Sequence, residues 1–377
     1  MRKTLLITEI FPPTHGGSGR WFWEIYRRFP FGTVQVLTDE NPDSESADAE
    51  FPHRVFRDSL SSPVWGIASL KGLVFYWKLW RRVDQISRSH SIQQVHCGRL
   101  MPEGLVALLN KMRRSIPYTC YVHGEDVEIA RTSREISILT RWVMRHAEKI
   151  IANSENTANI LRSWWGIEDQ LVVMTPGVDV DRFRPASQNR PSRWPGKRVV
   201  LTVGRLQKRK GHDMMIRALP LIRNQIPDAH YCIVGGGEEE SALRSLASSL
   251  KVRDLVEFAG ELNDQDMLEC YQQCDLFALP NRRVNNDDEG FGMVLLEAQS
   301  CGRPVLAGDA GGTRETLIQG DTGVIVDCTE PEPLANKVNE LLGDPSQLDK
   351  MGQAGRVHME KNFSWDELAV RAIERLG

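Results

Sequence analysis

Leu276-Phe277-Ala278-Leu279, followed by Asp288-Glu289-Gly290-Phe291-Gly292-Met293-Val294-Leu295-Leu296-Glu297-Ala298-Gln299-Ser300-Cys301-Gly302 and then Pro304-Val305-Leu306-Ala307, is the stretch that decides the fold. A short apolar run, a glycine-containing loop, a helix-length apolar run and a second short apolar run make a strand–helix–strand unit. Gly290 and Gly292 bracket Phe291 and open the helix, and Gly302 is placed to end it. The same alternation recurs along the chain. Strands are predicted near Thr4–Thr8, Val34–Thr38, Gln94–Cys97, Tyr118–Val122, Ile150–Ala152 and Leu171–Met174. A second set is predicted near Val199–Val203, Ala229–Val234, Val256–Ala259, Leu276–Leu279, Pro304–Ala307 and Gly323–Val326. Between the sets, the proline-rich polar segment Pro185–Pro195 reads as a linker. The class is α/β: two Rossmann-like, doubly wound parallel-sheet domains facing a cleft, with ligand expected at the C-terminal ends of the strands.

Composition supports two domains. The chain has 377 residues, 41% apolar and 26% charged, with a mean hydropathy of -0.35. That excludes a wholly disordered, collagen-like or coiled-coil chain. No run approaches the ~18–20 apolar residues of a spanning helix. Met1-Arg2-Lys3 is followed by an apolar run too short for a signal-peptide core. The expectation is therefore a cytoplasmic protein, with peripheral attachment to the inner face of a membrane as an option. The seven cysteines show no CxxC and read as small buried hydrophobes. Up to Ala186 there are 24 Lys and Arg against 21 Asp and Glu, and beyond it 23 against 29. Neither balance points to nucleic acid. Asp39–Glu50 is acidic and reads as a solvated loop. The segment from His53 to His90 carries seven Lys and Arg against two acids.

Three glycine-rich turns follow strands. Phe11–Arg20 contains Gly16, Gly17 and Gly19 before a helix expected near Trp21; such a turn lets a backbone approach a phosphate, and a tight turn explains it equally well. Val203-Gly204-Arg205-Leu206-Gln207-Lys208-Arg209-Lys210-Gly211 places Arg205 and Lys210 at a strand mouth, where a planar fork and a point charge suit a pyrophosphate. Gly308–Glu315 is a further candidate cradle. In the stretch quoted first, Glu289 in the loop and Glu297 on the helix can take separate hydroxyl pairs of one ligand. The free N–H groups between them suit a phosphate. Glu297 stands in an otherwise apolar helix, where a carboxylate needs a partner.

Taken together these motifs resemble the retaining glycosyltransferases of family 4, which have the two-Rossmann GT-B fold. The resemblance rests on Gly16-Gly17, His123-Gly124, Pro176-Gly177-Val178-Asp179, Gly204-Arg205 with Lys210-Gly211, Val234–Gly237, Glu289–Gly292 through Glu297-Ala298, Gly311-Gly312 with Glu315, and Phe363-Ser364-Trp365. Leu295–Pro304 and Ile116–Gly124 are most similar to the GDP-mannose-dependent phosphatidylinositol mannoside mannosyltransferases. The resemblance implies an N-terminal acceptor-side domain over 1–186, a nucleotide-sugar domain over 187–361, and a helix over 362–377 returning to the N-terminal domain. It implies that Arg205 and Lys210 bind the donor diphosphate, Glu297 the ribose hydroxyls, and Glu289 the transferred sugar beside the backbone of Gly290, Phe291, Gly292 and Met293. Gly16 and Gly17 would approach the phosphate, Glu261 and Leu262 would hold the base, and His123 would stand at the reacting centre. Thr313-Arg314 departs from the family, which often has proline before the position of Glu315.

The expected reaction is transfer of a sugar, mannose from GDP-mannose preferred, to a lipid-linked or polysaccharide acceptor, with retention. No metal is expected, since no D-x-D stands in a suitable loop, and no cofactor beyond the donor substrate. Gly66–Arg82 interleaves Leu70, Leu73, Val74, Trp77 and Trp80 with Lys71, Lys78, Arg81 and Arg82. That pattern suits an anionic membrane surface; the competing reading, which the apolar face itself favours, is an ordinary helix covering a sheet. Trp21, Phe22 and Trp23 are either part of an acceptor mouth or core. The competing functions are a UDP-sugar transferase with a soluble acceptor and, from another class, a dinucleotide-dependent oxidoreductase or a non-catalytic sugar-nucleotide binder. The absence of G-x-G-x-x-G counts against the dinucleotide.

Overall fold

A computed structural model of the protein describes residues 1–14, 16–61, 66–186, 192–285 and 287–377; residues 187–191 of the expected linker and His15 of the first glycine turn lie outside the described residues. The chain divides into two compact units, Met1–Pro176 with Trp365–Gly377, and Gly177–Ser364.

The first unit contains strands β1 Thr4–Thr8, β2 Val34–Thr38, β3 Arg54–Arg57, β4 Gln94–Cys97, β5 Tyr118–Val122, β6 Lys149–Ala152 and β7 Leu171–Val173. Its helices are α1 Gly17–Tyr26, α2 Ser44–Glu50, α3 Leu70–Ser89, α4 Leu105–Arg114, α5 Glu125–Ala130, α6 Arg134–His146 and α7 Glu155–Ile160. All the strands are parallel, in the order β3-β2-β1-β4-β5-β6-β7. Every residue of β1, β4 and β5 is buried, because helices cover both faces of the sheet and leave no solvent side on which to alternate. Helices α3, α4 and α6 lie side by side over one core.

The second unit contains β8 Arg198–Val203, β9 Ala229–Val234, β10 Val256–Gly260, β11 Leu276–Leu279, β12 Val305–Gly308 and β13 Gly323–Val326, parallel in the order β10-β9-β8-β11-β12-β13. Its helices are α8 His212–Gln225, α9 Glu240–Ser249, α10 Asp264–Gln273, α11 Met293–Ser300, α12 Pro331–Gly343 and α13 Pro345–Asn362. The last helix, α14 Trp365–Leu376, packs on α1 in the first unit, where Asp366 pairs with Arg28 at 2.6 Å.

Three expectations need correction. Asp39–Glu50 is not all loop, since α2 occupies its second half; no residue of α2 is buried, so its acidic composition marks a solvated face rather than a lack of helix. The strand β3 was not predicted, because Arg54-Val55-Phe56-Arg57 is a half-exposed edge strand without an apolar run. Helix α1 starts at Gly17 rather than near Trp21, so the glycines form its first turn. In addition, the residues between Gly177 and Ala186, grouped with the first half by sequence, pack in the second unit. Val178 N–H donates to Phe363 O at 2.8 Å, and Arg356 Nη1 donates to the carbonyls of Val180 and Phe183. Trp21, Phe22 and Trp23 are buried, and all seven cysteines are buried and free.

Candidate active site

In the second unit the polar groups gather where β8, β11 and β12 end. Gly211 adopts φ +75°, and a Cβ there would lie 1.8 Å from Pro280 O. Only glycine lets α8 start hard against the end of β11. That close approach delivers the preceding cations to the loop after β11. Lys210 Nζ lies 2.6 Å from Glu289 Oε2, Arg209 Nη1 lies 2.5 Å from the same oxygen, and Arg209 Nε lies 3.1 Å from Asp287 Oδ1. Arg282 completes the tie: its N–H donates to Arg209 O at 2.9 Å, and its guanidinium grips Asp213 bidentately at 2.9 and 2.8 Å. From the other side, Gly312 N–H donates to Glu289 O at 2.9 Å, and a Cβ on Gly311 (φ +68°) would stand 1.9 Å from that oxygen. Asn281 pins the loop after β12 by donating to Ala310 O at 2.8 Å and accepting from Gly308 N at 3.0 Å.

Burial alone would raise the Glu289 carboxyl, but Lys210 and Arg209 outweigh it and hold the group below the usual carboxylate range. Burial pulls Lys210 below the usual lysine range, and Glu289 offsets this only in part. Two cations thus share one carboxylate oxygen. Arg205 leaves the end of β8 exposed, and its guanidinium has no partner among the described residues.

Gly290, Phe291, Gly292 and Met293 lead into α11. Gly292 is left-handed (φ +92°) at its N-cap, Phe291 is buried with its ring centroid 6.2 Å from that of Phe363, and Met293 is the first helical residue. Glu297 accepts a hydrogen bond of 2.6 Å from the buried Tyr271 hydroxyl, which answers the question of a carboxylate in an apolar helix. Glu261 and Leu262 follow β10: Glu261 is exposed beside Gly236, and Leu262 packs on the core. Sequence reasoning missed Arg209, Tyr271 and Asn281. Arg209 was visible only as one cation in a basic run. Tyr271 and Asn281 carried no local signal, because their partners lie 26 and 27 to 29 residues away.

Gly16, Gly17 and His123 belong to the first unit. Gly16 and Gly17 are exposed at the start of α1. The His123 ring lies edge-on to Trp21 and Phe22, at 5.8 and 5.9 Å between centroids, and its Nε2 is 2.9 Å from Gly98 O. A carbonyl only accepts, so Nε2 carries the proton and donates, leaving Nδ1 as the acceptor of the neutral ring. Burial lowers the His123 pKa to about 4, so the ring is neutral at physiological pH. Asp126 Oδ1 accepts from His123 N–H at 3.1 Å and fixes the strand end.

Helix α3 begins at Leu70 and has two apolar faces. Gly72, Tyr76, Leu79, Val83 and Ile86 are buried. On the opposite face Leu70, Leu73, Val74 and Trp77 are exposed, beside exposed Lys71, Lys78 and Arg81. No described helix is long and apolar enough to cross a membrane.

Two parallel-sheet units, with loops at the strand ends that carry these groups, define the GT-B class of glycosyltransferase fold. Anabaena Alr3699/HepE, solved in complex with UDP, superposes with a TM-score of 0.84 at 20% identity over 99% of both chains. A sucrose-phosphate synthase from Thermosynechococcus elongatus gives 0.81 at 21% identity, over 100% of this chain and 98% of that one. Residues 15–182 match the family model Glycosyltransferase Family 4, and residues 184–358 match Glycosyl transferases group 1. The chain belongs to glycosyltransferase family 4 and is an enzyme of that kind. It is similar to the GDP-mannose-dependent alpha-(1-6)-phosphatidylinositol monomannoside mannosyltransferase of Mycolicibacterium smegmatis, at 32% identity over 99% of this chain and 98% of the relative. Against the GDP-mannose-dependent monoacylated alpha-(1-6)-phosphatidylinositol monomannoside mannosyltransferase of Corynebacterium glutamicum, identity is 32% over 98% of this chain and 96% of that one.

Proposed function

We propose that the enzyme transfers mannose from GDP-mannose to a lipid-linked acceptor, with retention at the anomeric carbon and without a divalent metal. The observation that carries this reading is the 32% identity, extending over both units, to enzymes named for GDP-mannose and phosphatidylinositol monomannoside. In the reaction the bond between the sugar C1 and the β-phosphate oxygen breaks, and its electron pair leaves with GDP. The acceptor hydroxyl oxygen bonds C1 on the same face, and its proton passes to the departing phosphate. Arg205 and Lys210 stabilise the charge that develops on that phosphate. Glu289 is released from Lys210 as the diphosphate arrives and is then available to the sugar hydroxyls, while Glu297, held by Tyr271, takes the ribose hydroxyls. Glu261 and Leu262 bound the base. His123 acts as a neutral positioning group.

The exposed stripe of α3, with Lys71, Lys78 and Arg81 beside it, supports docking on an anionic membrane, where such an acceptor resides. The test is purified enzyme with GDP-mannose, UDP-glucose and ADP-glucose, a mannosylated phosphatidylinositol in mixed vesicles, and parallel reactions with EDTA. GDP-mannose turnover that survives EDTA and yields an α-linked product is expected. Turnover with a UDP-sugar alone, or loss with EDTA that Mn²⁺ restores, would overturn the reading.

A further inference from the structure

The α3 stripe is not alone on its side of the first unit. Helix α6 also turns apolar side chains outward: Ile138 is 63% exposed and Trp142 40% exposed, one turn apart on the face opposite the buried Ile136, Leu139, Val143 and Met144. The start of α6 adjoins the start of α3. Glu135 Oε1 accepts from the backbone N–H groups of Ile67 at 2.5 Å and Ala68 at 2.8 Å, just before α3 begins. Between them runs α4, which packs on both helices and exposes Met112. The Arg113 guanidinium of α4 reaches over the Trp80 ring of α3 at 5.6 Å. The three helices thus form one outward surface.

Charge on that surface departs sharply from the rest of the chain. Together α3, α4 and α6 carry eleven Lys and Arg and two acids, Asp84 and Glu135, in a protein of net charge -3. Neither acid opposes an incoming anion: Asp84 is buried between Arg88, Arg113 and Arg114, and Glu135 is occupied by the backbone at Ile67 and Ala68. Lys71, Lys78, Arg81, Arg134, Arg141 and Arg145 have no carboxylate partner among the described residues. Apolar residues that share a surface with unneutralised cations fit the headgroup boundary of an anionic bilayer, which takes both.

We infer that α6 is a second membrane anchor, with Ile138 and Trp142 entering the same anionic bilayer as the α3 stripe, so that the enzyme docks through two helices rather than one. Two anchors joined across α4 set the tilt of the unit on the bilayer, which a single helix leaves free to roll. This rests on the proposed docking through α3, and the experiment separates the two.

The experiment measures partition of the full chain onto phosphatidylcholine–phosphatidylglycerol vesicles at low and high salt, with pure phosphatidylcholine as control. Wild type binds the anionic vesicles and is released by salt, because charge attraction fades beyond a Debye length. Ile138→Ser with Trp142→Ser lowers partition about tenfold, the scale of withdrawing large apolar side chains from an apolar phase. Leu73→Ser with Trp77→Ser lowers it similarly, and all four together lower it further. GDP binding, a property of the second unit, stays unchanged in each, as a folding control. A second readout is quenching by acyl-chain-brominated lipid, in which Trp142→Phe loses a quenched component. If the α6 variant partitions like wild type and Trp142 is not quenched, while the α3 variant is impaired, the second anchor is wrong and the α3 docking stands. If wild type ignores anionic vesicles, or binds heparin but no vesicle, both fail.

Discussion

Glu289→Gln is the most informative single change in the site. It keeps the shape of the side chain and its oxygen acceptor but removes the charge that Lys210 and Arg209 share at 2.6 and 2.5 Å. All three side chains are only 10–11% exposed, so solvent does little to replace the lost counter-charge. A unit pair at about 4 Å and an effective dielectric of about 20 interacts by roughly 4 kcal/mol. Breaking a buried pair by removing one partner costs roughly 3–5 kcal/mol. Arg209 keeps Asp287 at 3.1 Å, and glutamine still accepts a hydrogen bond, so the low end, about 3 kcal/mol, applies. For a unit of this size that corresponds to a fall in Tm of roughly 6–12 °C. If the donor diphosphate binds at these cations as proposed, it supplies the missing negative charge, and saturating GDP should raise the variant's Tm by more than it raises the wild type's. The assay is thermal unfolding with and without GDP, followed by donor turnover. Transfer should fall sharply while GDP binding persists. A variant as stable as wild type, with the same GDP-induced shift, would refute the idea that Glu289 is the counter-charge of an anion site.

Three other outcomes test groups within each unit by itself. Arg205→Ala and Lys210→Ala should each weaken GDP binding by about 1.5–3 kcal/mol, the scale of charged hydrogen bonds, and unchanged calorimetric affinities in both would remove these residues from the donor site. Gly311→Ala forces a Cβ to within 1.9 Å of Glu289 O at φ +68°, so donor KM should rise and stability fall; kinetics equal to wild type would mean that the loop yields freely. His123, with its pKa lowered to about 4, stays neutral in the fold while the unfolded chain takes up a proton near pH 6.5. Stability therefore drops as pH falls from about 6.5 to 4, by up to roughly 3 kcal/mol for this group, and chemical denaturation should show His123→Gln losing less than wild type across that window. Equal slopes would show that His123 is not held neutral.

Much of the framework was legible because it is local. The six runs expected in the second half all appear as strands, since a short, mostly apolar segment set between helices has few other ways to satisfy its backbone in a core. Glu289 and Lys210, which the structure brings to 2.6 Å, could both be singled out because each precedes a glycine in a segment that follows a strand. The edge strand β3 and the exposed helix α2 were not legible, because neither owes its existence to an apolar pattern of its own.

What only the tertiary structure decided is which of several equivalent residues meets which partner. Arg205 and Arg209 carry the same charge four residues apart, yet Arg209 turns to Glu289 and Asp287 while Arg205 stays exposed; the approach of the loop after β11 makes that choice. Helix α3 states the point most clearly. Its sequence has two apolar stripes at helical spacing, and periodicity cannot tell which one a sheet will cover. The path from β3 into β4 lays Tyr76, Leu79 and Val83 on the core and leaves Leu70, Leu73 and Trp77 in solvent. Burial depends on where the neighbouring elements lie, and a one-dimensional pattern carries that information only when one stripe is polar.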